Sequence, residues 1–420
     1  MLLLLALARG TPKTDAPDTN DTEDSGLPCA AWWPDADGDG FGDAAVASAC
    51  DEGDGYVDNG DDCDDGDATR NPGAVDSCDD DVDSDCDGVE RACRHAGTVD
   101  LGSTDVELAS GRNNFDAGRR VDIGDVTGDG YGDLLLATLY AEGYGGGGFL
   151  VPGPITTSRT LDAADFRIDG DANLTFGASR SIAMGDVNGD GVGDVALGAP
   201  YGIDTNGLFV LLGPITGDRV LADAEVVLRG PQVSYAGHGG ALADVNGDGI
   251  ADGVVGCYAG SLGGGDSGTV FVEYGPLSGE VDLEVDADAT LVGEGASWYT
   301  GRTLHAGGDV DGDGLADIVI AAIYGDGGAP QSGVVYVVLG APMGEMGLGS
   351  ADARLLGELP GDYAGLSVET GDVDGDGYAD VLAGANGGAE AGRVYVVRGP
   401  VTGEVSLGTA AAILDGTAGS

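Results

Sequence analysis

A nine-residue pattern, Asp-Val-x-Gly-Asp-Gly-x-(Gly/Ala)-Asp, occurs five times in this chain of 420 residues. The copies begin at Asp125, Asp186, Asp244, Asp309 and Asp372, so successive starts lie 61, 58, 65 and 63 residues apart. Self-similarity at a nearly fixed period marks a repeat array, in which each unit buries its apolar face only against its neighbours. A period of about 60 residues holds roughly four short strands with their turns, which is one propeller blade.

The order inside a unit can be read from the second copy. Ser179 to Gly185 approach the acidic loop as a first strand, and Val195 to Ala199 leave it as a second. A third strand follows a glycine linker, as in Gly207 to Leu212 or Val394 to Val397. A Gly-Pro turn comes next, at Gly213-Pro214, Gly275-Pro276 and Gly399-Pro400, and a fourth strand such as Glu225 to Leu228 completes the unit. Apolar residues alternate or run in short β-branched stretches, which predicts sheet. No helical period of useful length occurs, so the expected fold is all-β. Glycine, at 81 residues without a collagen period, suits the many tight turns that such a fold requires.

The loops carry the chemistry. Side-chain oxygens at positions one, three, five and nine, with a backbone carbonyl at seven, make the oxygen-rich cage that Ca2+ takes. The first loop offers Asp125, Thr127, Asp129, the Tyr131 carbonyl and Asp133. The second offers Asp186, Asn188, Asp190, the Val192 carbonyl and Asp194; the third, Asp244, Asn246, Asp248, the Ile250 carbonyl and Asp252. The fourth has Asp309, Asp311, Asp313, Leu315 and Asp317, and the fifth Asp372, Asp374, Asp376, Tyr378 and Asp380. About five Ca2+ ions are therefore expected here. Thr127 makes the first loop the weakest expected site. The bland alternative, five acidic turns without metal, would leave crowded carboxylates to repel one another. An ion so enclosed has little room for substrate, so its expected role is structural.

These units resemble the FG-GAP repeats of integrin α-subunit propellers. The second copy carries Phe176-Gly177-Ala178-Ser179, the Asp186 loop and Gly198-Ala199-Pro200, which is nearly the whole pattern. Elsewhere the aromatic is Phe115, Tyr235, Tyr299 or Tyr363, and Gly-Ala-Pro becomes Gly256-Cys257 or Gly384-Ala385. The resemblance runs from about Val99 to the C-terminus. It implies a β-propeller whose loops bind Ca2+ on one face while macromolecular ligands dock on the other. It also implies seven blades, and five complete copies fall short of that. Thr98 to Ala109 reads as the turn and fourth strand of an earlier blade. Either that strand closes a five-bladed ring or the sequence is truncated, and truncation is the favoured expectation.

Ahead of the array the composition changes. Six of the seven cysteines (Cys29, Cys50, Cys63, Cys78, Cys86 and Cys93) fall in one Gly- and Asp-rich segment, which reads as three disulfides of undetermined pairing. The segment has too few apolar residues for a core, so cross-links and metal must supply its stability. Zinc is disfavoured, because the cysteines do not come in closely spaced pairs. Asp35, Asp37, Asp39 and Asp43 stand at positions one, three, five and nine of another loop, with the Phe41 carbonyl at seven. Asp61, Asp62, Asp64, Asp65 and Asp67 form a second, less regular candidate. The stretch from Cys29 to Cys93 resembles a metal-binding motif of bacterial surface proteins and is similar to thrombospondin type-3 calcium repeats. The expected domains are a remnant signal peptide at 1–10, a disordered linker at 11–28, this disulfide-rich calcium-binding module at 29–95 and the propeller at 98–420.

Seventeen basic residues against 74 acidic ones give a formal charge of −57. Such a surface repels nucleic acid and anionic lipid and attracts divalent cations. Disulfides and calcium loops together predict an extracellular or bacterial cell-surface location. The apolar run Leu2 to Ala8 is too short to span a bilayer. A propeller-fold hydrolase or lyase is the competing class. His238 and His305, however, read as packed or surface residues of first strands, and Cys257 as a buried small thiol. A metal-sequestering surface protein is a third possibility, although copper would lack ligands. The expected function is a non-enzymatic recognition or adhesion scaffold for a protein or glycan, with connecting loops such as Tyr140 to Gly148 and Tyr324 to Ser332 carrying the specificity.

Overall fold

The computed structural model describes residues 32–42, 56–57, 59–60, 62–72, 86, 106–109, 118, 120–138, 146–161, 166–170, 181–202, 206–387 and 392–416. The chain divides into two compact units, Met1–Thr104 and Asp105–Ser420.

The larger unit is a β-propeller of five antiparallel blades. Blade one comprises Val121–Gly124, Asp133–Thr138, Gly147–Val151 and Phe166–Asp169; blade two, Ile182–Gly185, Asp194–Ala199, Gly207–Leu211 and Val226–Arg229. Blade three comprises Ala236–Ala243, Asp252–Cys257, Thr269–Glu273 and Ala289–Val292; blade four, Thr303–Gly308, Asp317–Ala322, Val334–Val338 and Ala353–Leu356. Blade five holds Ser367–Gly371, Asp380–Ala385, Arg393–Val397 and Ala412–Asp415. The acidic loop joins the first and second strands every time, and the expected strand order holds throughout. Among the described residues the only α-helix is a single turn at Leu283–Asp286.

Packing explains why the second and third strands read as continuous apolar runs. Asp317–Ala322 is buried at every position. One side of that strand, Val319 and Ala321, packs with Val381, Ala383 and Tyr395 of blade five. The other side, Ile318, Ile320 and Ala322, packs with Val254, Val270 and Leu291 of blade three. A strand covered on both faces has no solvent side to alternate with. Burying each such Val, Leu or Ile contributes about 1.5–3 kcal/mol. Toward the axis the strands crowd, and small residues take over. A Cβ on Gly256 would stand 2.0 Å from the Gly301 carbonyl oxygen, so no other residue fits there.

A fifth strand was not legible as such in the sequence. After the Gly-Pro turn, the connection to the fourth strand runs back beside the preceding blade and pairs with it in parallel. Arg219–Val220 joins Phe166–Asp169, and Gly279–Asp282 joins Val226–Arg229. Gly344–Gly347 joins Ala289–Val292, and Gly403–Ser406 joins Ala353–Leu356. Each clasp ends in a leucine driven into the core: Leu221, Leu283, Leu348 and Leu407 are all at most 1% exposed. The early strand behaves in the same way, since Leu108–Ala109 pairs in parallel with Arg159–Thr160, ahead of buried Leu161. It thus occupies the fourth-strand role expected for Thr98 to Ala109.

In the smaller unit, Trp33–Pro34 pairs with Tyr56–Val57 in a two-stranded ladder. Cys63 and Cys86 form a disulfide. Cys29, Cys50, Cys78 and Cys93, and with them the rest of the expected cross-linking, lie outside the described residues, as does Asp43.

Candidate metal centres and the axial face

All five propeller loops fold alike, because the first aspartate organises its own turn. In the fourth loop, Asp309 Oδ1 accepts the Gly312 amide at 2.6 Å and Oδ2 accepts the Gly314 amide at 2.9 Å. Gly314 sits at φ +89°, a left-handed conformation that favours glycine. Asp313 Oδ1 accepts the Leu315 amide at 2.9 Å. The same bonds recur from Asp125, Asp186, Asp244 and Asp372.

The ninth aspartate has a different task. Asp133, Asp194, Asp252 and Asp317 are 0% exposed, as is Asp380. One oxygen accepts the amide of the second loop residue; the other accepts the amide of the glycine two residues past the third strand. For Asp317 these are Val310 at 2.6 Å and Gly340 at 2.8 Å. Asp133 holds Val126 and Gly153, Asp194 holds Val187 and Gly213, Asp252 holds Val245 and Gly275, and Asp380 holds Val373 and Gly399. Burial pushes Asp194, Asp252 and Asp317 up to about 6. Adjacent loops are also stitched together. The eighth residue of each later loop donates its amide to the first residue's carbonyl in the loop before, as Ala379 does to Asp309 at 2.7 Å and Ala251 to Asp186 at 2.7 Å.

The third position separates the loops. Ligand atoms of Asp309, Asp311 and Asp317 lie within 4.8 Å of one another, as do those of Asp372, Asp374 and Asp380. In the second loop the Asn188 amide nitrogen donates to Asp190 Oδ2 at 3.0 Å. In the third, Asn246 bridges Asp248 at 3.1 Å and Asp252 at 3.3 Å. In the first, the Thr127 hydroxyl donates to Asp133 at 3.5 Å, a weak bond. The fifth loop has a neighbour that spacing did not reveal: Arg398 Nε meets Asp374 Oδ2 at 2.8 Å.

In the smaller unit the two separate acidic candidates converge. Asp35, Asp37 and Asp39 cluster within 4.8 Å, and Asp37 also clusters with Asp62 and Asp65. The Ala36 amide donates to Asp65 Oδ1 at 2.8 Å, and the Asn71 side chain donates to Asp39 Oδ2 at 2.7 Å. Asp62 is 3% exposed, and its Oδ2 and that of Asp37 are buried without a hydrogen-bond partner. Burial, then the neighbouring carboxylates, pushes both acids up. Orphaned carboxylate oxygens facing like charge are what a cation would relieve, so the donor set fits a hard divalent ion. Cys63 and Cys86 adjoin Asp62, but their sulfurs are bonded to each other and are not metal ligands.

The end away from the loops is aromatic. Tyr201, Tyr235, Tyr258, Tyr299, Tyr324 and Tyr363 follow one another with ring centroids 4.9–5.6 Å apart, mostly edge to face. Tyr235, Tyr299 and Tyr363 are the aromatics of the repeat motif, and each adopts a left-handed φ of 54–56°. Tyr201, Tyr258 and Tyr324 close the second strands of the preceding blades. Sequence reasoning missed this second set, although Tyr201, Tyr258 and Tyr324 each stand one or two residues past the second strand of a blade. His238 packs edge-on to Tyr258 at 4.9 Å and donates from Nδ1 to the Arg302 carbonyl at 2.8 Å. Cys257 is buried, and burial pushes its thiol up to about 12, far from a reactive thiolate.

Comparison with known proteins follows the same division. The FG-GAP repeat family matches residues 178–210, 300–338 and 364–397, and a family described as "Putative metal-binding motif" matches residues 62–90. "Integrin alpha pat-2" of Caenorhabditis briggsae is 32% identical over 221 residues, covering 49% of this chain and 17% of that protein. "Integrin alpha-5" of Xenopus laevis is 31% identical over 219 residues, covering 49% of this chain and 20% of that protein. "Phosphatidylinositol-glycan-specific phospholipase D" of Rattus norvegicus is 34% identical over 208 residues, covering 44% of this chain and 24% of that protein. The similarity therefore spans less than a quarter of each relative's own length. The chain thus carries FG-GAP repeats in a five-bladed propeller similar to that of integrin α subunits, with a metal-binding motif toward its N-terminus.

Proposed function

We propose that this chain is an extracellular or cell-surface recognition scaffold, held rigid by Ca2+ in its loops and engaging a protein or glycan at the opposite end. The observation that carries this reading is the fivefold repetition of one loop, with its ninth aspartate buried and tied to two strands. In the propeller Ca2+ would be held by positions one, three, five and nine of each loop, with the seventh carbonyl. In the smaller unit it would be held by Asp35, Asp37 and Asp39 together with Asp62 and Asp65. Bound there, the ion supplies charge neutralisation and cross-linking. The residues themselves fix the turn, bury the ninth carboxylate and join each loop to its neighbour. An all-oxygen donor set favours calcium over copper. Similarity to integrin α subunits supports an adhesive role. The phospholipase relative, like the integrins, is matched over less than a quarter of its own length, so the match by itself brings no enzymatic activity with it.

Calorimetric titration of the chelator-stripped chain tests the calcium claim. About five propeller sites and one or two in the smaller unit are expected, with a clear rise in Tm on loading. Fewer than about four sites and an unchanged Tm would overturn it. Calcium-dependent retention on immobilised extracellular proteins or polysaccharides tests recognition. Turnover in a glycosidase and esterase screen, lost when acids outside the loops are changed, would favour an enzyme instead.

A further inference from the structure

The first strands of all five blades line an axial cavity of about 340 Å3. Its polar lining gathers Arg120 and Asp122 from blade one, His238 from blade three, Arg302 and His305 from blade four, and Glu369 from blade five. Two of the chain's three histidines therefore meet on the axis of a molecule with a formal charge of −57.

Arg302 stands apart from the arginines of the blade exteriors. Arg219, Arg229, Arg354 and Arg393 each pair with a glutamate. Arg302 makes no ion pair among the described residues, and its guanidinium lies 5.7 Å from the centre of the Tyr258 ring. Because Thr303–Gly308 runs toward the Asp309 loop, Arg302 sits at the opposite, tyrosine-rimmed end. Deeper in the cavity the carboxylates are already tethered. His305 Nδ1 lies 2.9 Å from Glu369 Oε2, and that contact holds Glu369 below the usual range. Asp122 Oδ2 accepts the Met184 amide at 2.8 Å, and Oδ1 accepts the Ile123 amide at 2.9 Å.

We propose that this cavity binds a uronic acid, its carboxylate on Arg302 at the mouth and its hydroxyls on Glu369, Asp122 and His305 inside. A guanidinium with an aromatic face beneath it and no ion pair among the described residues matches a planar carboxylate in a two-pronged contact. Carboxylates and an imidazole suit a ring rich in hydroxyl donors, whereas an apolar acid would strip them of solvent without replacement. A multiply charged anion such as phosphate would meet Asp122 and Glu369 as well as the negative field of the whole chain. A cation is a poor fit, since no three of these side chains bring ligand atoms within 4.8 Å of one another. The volume falls within the small-ligand range of about 300–1,000 Å3. The proposal rests on the recognition reading and narrows its ligand to an acidic sugar, free or at a polysaccharide end.

Titration of the Ca2+-loaded full chain with galacturonate, galactose and inorganic phosphate tests it. Galacturonate is expected to saturate with a Kd below about 10 mM, at least about tenfold tighter than either other probe. Arg302→Gln is expected to weaken galacturonate about tenfold while Tm and calcium stoichiometry stay unchanged, and Arg302→Lys to recover part of the loss. Galactose binding as well as galacturonate, phosphate binding as well, no saturation by galacturonate, or an unaffected Arg302→Gln protein would each overturn the proposal. If calcium-dependent adhesion persists alongside one of those results, the cavity assignment fails while the scaffold reading stands.

Discussion

Asp317 and its counterparts couple the acidic loops to the sheets, because a single buried carboxylate accepts amides from two separate segments. Removing one acceptor leaves a buried N–H without a partner, at a cost of about 1–3 kcal/mol. Asp317→Asn, which turns an –NH2 toward one of those amides, is expected to lower Tm by that equivalent even in chelator, and to remove one calcium site by calorimetry. The pH dependence follows from burial, which raises Asp194, Asp252 and Asp317 to about 6 against an ordinary value of 3.8. Between those values the folded, metal-free chain holds protons that the unfolded chain has released. Its stability is therefore expected to fall as pH rises from about 4 to about 6, and saturating Ca2+ to abolish the decline, as thermal melts at both pH values would show. Glu273 offers a test away from the loops. Burial, then Asp288 and Asp286, pushes it up to about 7, and its Oε2 has no hydrogen-bond partner. Glu273→Gln is expected to stabilise the protein above pH 7 by about 1 kcal/mol once solvent screening is allowed for, and to change nothing below about pH 4.

At the level of elements, each blade is completed by its successor. The clasp strand closes an edge that would otherwise expose a row of unpaired backbone groups, and its terminal leucine seals the space between blades. Leu348→Ala is expected to cost about 2–5 kcal/mol, read as a drop in the chemical-denaturation midpoint with calcium stoichiometry intact. The outer strand of blade five, Ala412–Asp415, has no clasp among the described residues. Leu414 faces Val394 there as Leu355 faces Val335 in blade four, yet Leu414 is 60% exposed and Leu355 fully buried. Leu355→Ala is therefore expected to destabilise severely, and Leu414→Ala by less than about 1 kcal/mol. The amide-to-carbonyl bonds between successive loops tie the geometry of each loop to that of its neighbour.

Across the propeller, the acidic loops lie at one end of the blades and the tyrosine arc at the other, with the axial cavity between strands that join them. A chain this negative repels itself when stripped of counter-ions. Added salt is therefore expected to raise Tm markedly in chelator and only slightly in calcium, a comparison that separates screening from site filling. Much of this was legible in one dimension. A loop contained in nine residues, repeated at a near-constant period, determines hairpins and strand order, because its hydrogen bonds close within the loop and its flanking strands pair locally, whereas it left the number of blades open between five and seven. The second and third strands were legible for the same reason, as β-branched runs buried on both faces. What only the tertiary structure decided are contacts between segments far apart in the chain. They include the clasp strands, the meeting of Asp37 with Asp62 and Asp65, the alternation of Tyr201, Tyr258 and Tyr324 with the motif tyrosines, and the convergence of Arg302, His305 and Glu369 on the axis. Local pattern fixes which way a strand runs and which face is apolar. It does not fix which neighbour that face meets, since that depends on how successive twisted sheets pack against one another around a common centre.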